Sequence, residues 1–453
     1  MAIKEHSNLR VLMFPWLAYG HISPYLELAK KLSKRNFHIY FCSTPVNLNS
    51  IKTRLTPSND DFNAKSLELV ELHLPTLPNL PPHLHTTNGL PPELDSTLVK
   101  AADMARPNFE DIMKDLKPDL IIYDVMQSWV SDLASWYAIP AVHLQILPAT
   151  ALSYIRCMFG GKQFPSPAIF IRPAEIKIMT KGAPKYEEGE DPMTASFKRS
   201  CEIVLIQSSK NFENEYIDFL SDLVDKKVVP VGPLIQAAAP PKEEDDKIME
   251  WLNRKEADST VLVSFGSQYY LSKEELEELA YGLELSQVNF VWVIRFPKGE
   301  EVKAVEVLPQ GFMDRVGDRG LLVEGWAPQT KILEHSSIGG FVSHCGWNSA
   351  TESMSLGVPI IAIPMVIEQP LNCRRVVELG VGMEVMKDEN SEFDREEVAR
   401  VIREVVVEKS GEEIRRKAKE LSENVRHTSD EEVNNVAQEL RKLCNKKLDA
   451  HPF

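Results

Sequence analysis

The chain has few cysteines, and none of them are closely spaced. Its 453 residues include six cysteines, and no two of these form a CxxC motif. Structural zinc sites and disulfide frameworks are built on close, regular cysteine spacing. The sequence therefore argues against both kinds of site, and we interpret the thiols as reduced and mostly buried.

Positive charge is also scarce. The chain carries 51 Lys and Arg against 66 Asp and Glu, which gives a formal net charge of −15. Binding to nucleic acid or to an anionic membrane surface requires clustered basic residues. We therefore expect no nucleic-acid partner, and any anionic ligand must be met by a local arrangement of donors.

Long hydrophobic runs are missing as well. The apolar run Val358–Ile367 falls well short of the roughly 20 residues that a helix needs to cross a bilayer. The apolar stretch Val11–Ala18 contains Pro15 and lacks a convincing cleavage site, so it is typical of a first strand, not of a signal peptide. We expect no integral membrane segment, a cytoplasmic location and a monomer.

What the chain does have is two series of short apolar segments that alternate with helical patterns. Near-continuous apolar strands separated by helices predict a parallel sheet covered on both faces. The predicted strands of the first series are Leu9–Phe14, His38–Thr44, Leu67–Leu74, Asp119–Met126, Ala141–Leu147, Ile203–Ser208 and Val228–Val231. Those of the second are Thr260–Gly266, Asn289–Phe296, Leu321–Glu324, Gly339–Ser343 and Pro359–Pro364.

Between the two series, Ala237–Lys247 is rich first in Ala and Pro and then in charge, which is typical of a linker. A single core rarely grows past about 250–300 residues, so two domains are expected. The fold class predicted is α/β, with two doubly wound parallel-sheet domains and a ligand cleft at the carboxyl ends of their strands.

The second series contains a strand, a turn and a helix with the sequence FVSHCGWNSATESMSLG. A helix N-terminus presents unpaired N–H groups and suits a phosphate. From Val342 to Glu352 there is no Lys or Arg, and His344 is the only possible cation. An anion here would be held by amides, hydroxyls and the imidazole, although an ordinary capped helix would give the same local pattern.

The longer segment Trp326–Gln369 resembles the signature box of plant family-1 UDP-glycosyltransferases, and it has that box's length. It carries WAPQ, HCGWNS, Glu352, a GVP turn and a terminal Glu-Gln, and further similarity includes PWLAYGH near the start and VSFGS at Val263–Ser267. The resemblance implies the GT-B fold. Its expected parts are an acceptor-binding domain (1–236), a linker (237–250), a UDP-sugar-binding domain (251–430) and a C-terminal helix that packs back on the first domain (431–453).

The resemblance also assigns donor-binding roles. Trp326 would stack on the uracil, Ala327 and Gln329 would contact the base, and Glu352 would accept the ribose hydroxyls. The positions expected to contact the diphosphate are Ser267, His344, Asn348 and Ser349. Those expected to contact the sugar are Trp347, Glu368 and Gln369.

Two further residues are candidates for the chemistry. His21 follows the first strand and its loop, and Asp124 ends the apolar segment DLIIYD, where an unpaired carboxylate would be costly. A carboxylate on one imidazole nitrogen leaves the other able to accept a proton from a hydroxyl. The family carries this His and Asp at matching positions, which implies His21 as general base and Asp124 as its orienting partner.

The expected reaction is an inverting transfer to a hydroxyl with no metal, because no Asp-x-Asp lies at a strand end. The glutamine at Gln369 resembles the residue at this position in enzymes that use UDP-glucose. UDP-xylose, UDP-rhamnose and UDP-glucuronate stay open as donors. The stretches Phe41–Leu48 and His85–Pro92 resemble a branch that adds sugar to small-molecule glycosides of flavonoid, triterpenoid, lignan or apocarotenoid type.

Three alternatives remain. The acceptor could be a bare aglycone hydroxyl, or the chain could bind a UDP-sugar without catalysis. A nicotinamide dehydrogenase is disfavoured because the first strand is followed by PWLAYGH and not by GxGxxG.

Overall fold

A computed structural model describes residues 8–55, 63–180, 192–236, 243–267, 269–296, 303–390 and 392–450 of the chain. The strands are β1 (Leu9–Phe14), β2 (Phe37–Ser43), β3 (Leu67–Glu71), β4 (Leu120–Tyr123), β5 (Ala141–Gln145), β6 (Ile203–Ile206), β7 (Lys227–Pro230), β8 (Thr260–Ser264), β9 (Asn289–Ile294), β10 (Gly320–Glu324), β11 (Ile338–Ser343), β12 (Ile360–Ala362) and β13 (Gly382–Glu384).

The α-helices are α1 (Tyr19–Ser33), α2 (Pro45–Ile51), α3 (Asp95–Met104), α4 (Arg106–Leu116), α5 (Trp129–Trp136), α6 (Ala149–Gly160), α7 (Pro173–Thr180), α8 (Pro192–Arg199), α9 (Lys210–Val224), α10 (Glu243–Leu252), α11 (Lys273–Ser286), α12 (Ala304–Val307), α13 (Phe312–Val316), α14 (Gln329–Leu333), α15 (Trp347–Leu356), α16 (Gln369–Glu378), α17 (Arg395–Val406) and α18 (Glu412–Ala450). Short 3₁₀ turns lie between several of them.

The strands form two parallel sheets. The first has the order β3-β2-β1-β4-β5-β6-β7 and the second the order β10-β9-β8-β11-β12-β13. In each sheet the order reverses beside the first strand of the series, which is the doubly wound pattern. The α/β class predicted from the sequence is confirmed, and β13 is a strand that the sequence pattern did not predict.

The chain divides into two compact units that are not contiguous in sequence. The first comprises Met1–Ala149, Tyr186–Pro240 and Thr428–Phe453, and the second comprises Thr150–Lys185 and Pro241–His427. The first domain predicted from the sequence (1–236) includes all of the segment 150–185. Its domain bounds otherwise stay a prediction.

Each sheet has apolar clusters on its faces. In the first unit, Val11 and Ile39 of the sheet share a cluster with Val436 and Leu440 from the end of α18, and all four are fully buried. In the second unit, β8, β9 and β11 pack against α11 and α17. These clusters hold the strands in place, so that residues just beyond the strand ends are well positioned.

The predicted linker 237–250 requires a correction. Its first six residues lie outside the described part of the chain, but the rest belongs to α10. Ile248, Trp251 and Leu252 are buried there at the three- and four-residue spacing of an amphipathic helix. The dense charge of EEDD concealed that apolar stripe in the sequence.

Candidate active site

His21 and Asp124 are in direct contact in the first unit. The two atoms, His21 Nδ1 and Asp124 Oδ2, are 2.9 Å apart. His21 lies in the first turn of α1, which begins at Tyr19. Asp124 directly follows β4, the neighbour of β1 in the sheet. Adjacent parallel strands therefore bring together two side chains that are 103 residues apart.

The Asp124 carboxylate is buried, with a 1% exposed side chain, whereas the His21 side chain is 19% exposed. Burial raises the pKa of Asp124, but the charge and hydrogen bond of His21, the charge of His143 and a backbone hydrogen bond from Trp16 outweigh it. The net effect is a pKa below the usual value. Asp124 is thus ionised at neutral pH and can only accept hydrogen bonds.

This pairing fixes the tautomer of His21. Because ionised Asp124 accepts, Nδ1 of His21 carries the proton, and Nε2 of the neutral ring is an acceptor. Nε2 of His21 is directed away from the buried carboxylate, and such a nitrogen can accept a proton from a hydroxyl. The structure brings the predicted pair together, and its catalytic role stays a prediction.

The second unit holds the predicted donor residues around the start of α15. β11 ends at Ser343, and His344, Cys345 and Gly346 then turn the chain into the helix. Gly346 is the N-cap residue and provides no side chain to cap the first N–H groups. This arrangement can accept an anion at the helix N-terminus.

His344 lies between two glycines. A Cβ atom added to Gly266 would come within 2.6 Å of His344 Nε2, and one added to Gly346 within 2.5 Å. Burial lowers the pKa of His344 to about 4. The imidazole is therefore neutral at neutral pH, and its contact with a diphosphate stays a prediction.

Gln329 is bonded to two other predicted donor residues. Its Nε2 donates to Glu352 Oε2 at 2.7 Å and to Ser349 Oγ at 3.2 Å. Glu352 and Ser349 lie on one face of α15, three residues apart. Residues expected to contact the base, the ribose and the diphosphate thus form one hydrogen-bonded group.

Glu368 and Gln369 open α16. The Gln369 Oε1 atom accepts from the backbone N–H groups of Met365 and Val366, both at 2.9 Å. Only the oxygen of the side-chain amide can accept these two N–H groups. The amide nitrogen of Gln369 is therefore the atom that can donate to a sugar hydroxyl.

The remaining predicted donor residues differ in exposure. Trp326 is 53% exposed, which suits a ring that stacks on a base, while Trp347 is 3% exposed and Ala327 is 8% exposed. Ser267 and Asn348 are partly exposed, and Ser267 lies in the turn after β8. Their contacts with a donor stay predictions.

Arg295 is a candidate that the sequence analysis missed. It follows β9, its Nη1 donates to Gly266 O at 3.0 Å, and its guanidinium carbon lies 5.7 Å from the centre of the Trp326 ring. A cation thus lies beside the residues expected to bind UDP. The available signal was a single charge directly after the apolar strand NFVWVI.

Two further structural observations concern ligands and membranes. Among the described residues, no group of three or more His, Cys, Asp or Glu side chains could hold a metal ion. In the same part of the chain, no helix is long and apolar enough to cross a membrane.

Comparison with known proteins adds family relationships. A family model described as "UDP-glucoronosyl and UDP-glucosyl transferase" matches residues 224–423, and one described as "Glycosyltransferase, N-terminal domain" matches residues 7–236. Together they cover both sheets, the His21–Asp124 pair and the predicted donor residues.

Relatives that match over nearly the whole of both chains support the same family. The chain is 49% identical to "Beta-D-glucosyl crocetin beta-1,6-glucosyltransferase" of Gardenia jasminoides over 95% of this chain and 98% of that one. It is 44% identical to "Flavanone 7-O-glucoside 2''-O-beta-L-rhamnosyltransferase" of Citrus maxima over 98% and 100%. The crystal structure of Glycyrrhiza uralensis UGT73P12 with glycyrrhetinic acid 3-O-monoglucuronide has a TM-score of 0.85 at 22% identity, covering 98% of each chain, and supports the same fold.

Proposed function

The chain belongs to the plant family-1 UDP-glycosyltransferases, and on that premise we propose that it transfers glucose from UDP-glucose to a sugar hydroxyl of a plant natural-product glycoside. The observation that carries the chemistry is the 2.9 Å contact between His21 Nδ1 and Asp124 Oδ2. The glycoside acceptor is supported by the relatives, whose names specify substrates that already carry glucose.

The proposed reaction is a single displacement. His21 Nε2 accepts the proton of the acceptor hydroxyl as the oxygen forms a bond to the anomeric carbon of the donor. The bond between that carbon and the phosphate oxygen breaks, and UDP leaves with its charge stabilised at the start of α15. The α-linked donor becomes a β-glycoside, and Asp124 stabilises the imidazolium that forms.

The donor sugar is the finer part of the proposal. Gln369 Oε1 is held by two backbone N–H groups, which leaves its amide N–H groups as the donors for a hydroxyl-rich hexose such as glucose. A relative at 44% identity is named as a rhamnosyltransferase, so the assay must include other donors.

The test is a product screen of the purified enzyme by mass spectrometry. UDP-glucose, UDP-xylose, UDP-rhamnose and UDP-glucuronate are each offered with matched pairs of a plant monoglucoside and its aglycone. We expect a mass gain of one hexose on the monoglucoside with UDP-glucose. Transfer to the aglycone alone would contradict the sugar-on-sugar assignment.

We also propose that transfer needs no metal ion, because the residues expected to contact the diphosphate offer neutral donors, and Arg295 lies beside Gly266, the neighbour of one of them, Ser267. Activity in EDTA should equal activity in untreated enzyme. A loss in EDTA that Mg²⁺ restores would contradict this part of the proposal.

A further inference from the structure

Asn372 lies in the second turn of α16 and is fully buried, with 0% exposure. Its Nδ2 donates to Cys345 O at 2.9 Å and, at 3.4 Å, to Glu368 Oε1. Cys345 belongs to the turn before α15, and Glu368 is expected to contact the donor sugar. One amide thus bridges the turn expected to bind the diphosphate and the carboxylate expected to bind the sugar.

The contact with Cys345 controls a peptide orientation. Cys345 has a φ of 63°, a left-handed conformation that a residue with a side chain seldom adopts. In a trans peptide the C=O and the following N–H point in opposite directions. Because Cys345 O points to Asn372, the Gly346 N–H points away from Asn372.

The fold alone does not favour asparagine at this position. Asparagine is a weaker helix former than leucine, and a buried amide must satisfy its polar atoms. Among the described residues, the Oδ1 atom of Asn372 has no hydrogen-bond partner. An apolar side chain of similar size would remove that unmet acceptor, so the position gains from the N–H donors of the amide and not from its burial.

We propose that Asn372 is a positioning residue that holds the Cys345–Gly346 peptide and the Glu368 carboxylate in one geometry for binding of the UDP-sugar. The inference rests on the proposed function. Asn372 is too deeply buried to reach a donor, so it acts through these two neighbours. Binding of the diphosphate and recognition of the sugar are coupled through its amide.

The main test compares Asn372→Asp with Asn289→Asp. Both changes replace a side-chain amide of the second unit that donates to a backbone carbonyl, since Asn289 Nδ2 donates to Ser259 O at 3.2 Å, away from the donor residues. For Asn372→Asp we expect about tenfold weaker UDP binding by calorimetry and about a hundredfold lower kcat/KM for the UDP-sugar, because a buried donor is lost and a carboxylate faces two oxygens. Asn289→Asp should leave both values unchanged.

A kinetic double-mutant cycle with Glu368→Ala tests the action through Glu368. The product of the two single-variant fold losses in kcat/KM is the loss expected for independent residues. If Asn372 positions that carboxylate, the measured loss of the double variant is smaller than this product by at least about tenfold. If Asn372→Asp does not fold, Asn372→Ser provides a donor of smaller size and should retain intermediate activity.

Two results would overturn the inference: folded Asn372 variants with wild-type UDP affinity, or losses that multiply with those of Glu368→Ala. These outcomes are separate from a failure of the proposed function. If the proposed function itself were wrong, the wild-type chain would transfer no sugar from any of the UDP-sugars.

Discussion

At the scale of single residues, His21 can act as a base because Asp124 occupies only one of its nitrogens. We expect His21→Ala to lower kcat by about 10²–10⁴-fold, the usual contribution of a positioned base. UDP affinity should be nearly unchanged, because the predicted donor residues lie in the other unit. Turnover is measured with the monoglucoside acceptor, and UDP binding by calorimetry.

Asp124→Asn serves as the companion variant. It keeps the size of the side chain but can donate to Nδ1, which would move the ring proton to Nε2 and block its role as acceptor. Its kcat should fall nearly as far as that of His21→Ala, and the double variant should lose little more. Full turnover in either single variant would refute the assignment of the base.

Arg295 provides a second prediction at this scale. Its guanidinium lies beside Trp326 and is bonded to Gly266 O. Arg295→Leu should weaken UDP binding about tenfold, because a partly desolvated cation beside an aromatic ring and near a diphosphate contributes on the order of 1–2 kcal/mol. Calorimetry at two salt concentrations measures the change and its electrostatic part.

The matched control is Lys255→Met. Lys255 Nζ lies 4.4 Å from the centre of the Trp251 ring, so this pair is another cation–aromatic contact in the same unit, apart from the predicted donor residues. Its loss should leave UDP affinity as it is. Equal effects from both variants would mean that Arg295 acts on stability and not on the nucleotide.

The sequence was informative for some of these residues and not for others. His21 and Asp124 could be predicted to meet because each follows a buried strand, and strand ends of one sheet converge. Arg295 and Asn372 could not, because each belongs to the site only through contacts with a distant turn. A charge after a strand or an amide in a helix has many uses, and only the fold selects among them.

At the scale of elements, the close approach of β8, β11 and α15 requires glycine on both sides of His344. We expect Gly346→Ala to weaken UDP binding at least about tenfold, because a Cβ atom 2.5 Å from Nε2 must displace the buried ring or the turn. The φ of Gly346 is −57°, which alanine adopts easily, so the effect would come from the clash alone. Calorimetry with UDP measures it.

Gly317→Ala separates backbone strain from this clash. Gly317 has a φ of 54°, and no atom of the residues that the structure describes lies within 4 Å of the position that its Cβ would take. That variant should lose roughly 1–3 kcal/mol of stability, because a residue with a side chain seldom adopts φ 54° with ψ −134°, and it should retain UDP affinity. If Gly346→Ala also retains UDP affinity, His344 is not held in the way described.

Predicted and observed elements differ most where strands end. The apolar run DLIIYDVM suggested a strand through Met126, but β4 stops at Tyr123 and Asp124 already faces His21. The run TVLVSFG likewise suggested a strand through Gly266, whereas β8 ends at Ser264. Apolar side chains continue beyond the last strand hydrogen bond, so a prediction from hydropathy alone makes these strands too long. The site residues lie just past the true strand ends.

At the scale of the whole molecule, the two-series pattern predicted both sheets but not the division of the chain. The segment 150–185 groups with the second unit although it precedes β6 of the first sheet. Within the second unit, Arg172 and Glu175 form ion pairs with Glu384 and Arg374. Such pairings join residues about 200 positions apart, and local sequence patterns carry no signal for them.

The stability of the molecule should depend on pH through buried histidines in both units. Burial lowers the pKa of His143 in the first unit and of His344 in the second to about 4 in each case. Above pH 6.5 the two residues are neutral in both the folded and the unfolded chain, so they add no pH dependence there. Between 6.5 and 4 the unfolded chain binds protons that the folded chain does not, so stability falls as the pH falls.

Each histidine should contribute a loss of roughly 3 kcal/mol across that window, and below about pH 4 its contribution becomes constant. Denaturant midpoints at pH 7, 6, 5 and 4 measure the effect. His143→Phe removes one titrating group from an aromatic environment that includes Tyr123 and Phe197, and it should flatten the slope for unfolding of the first unit. An unchanged slope in that variant would show that His143 is protonated at its ordinary pKa in the folded protein, and the site of acid sensitivity would then lie elsewhere.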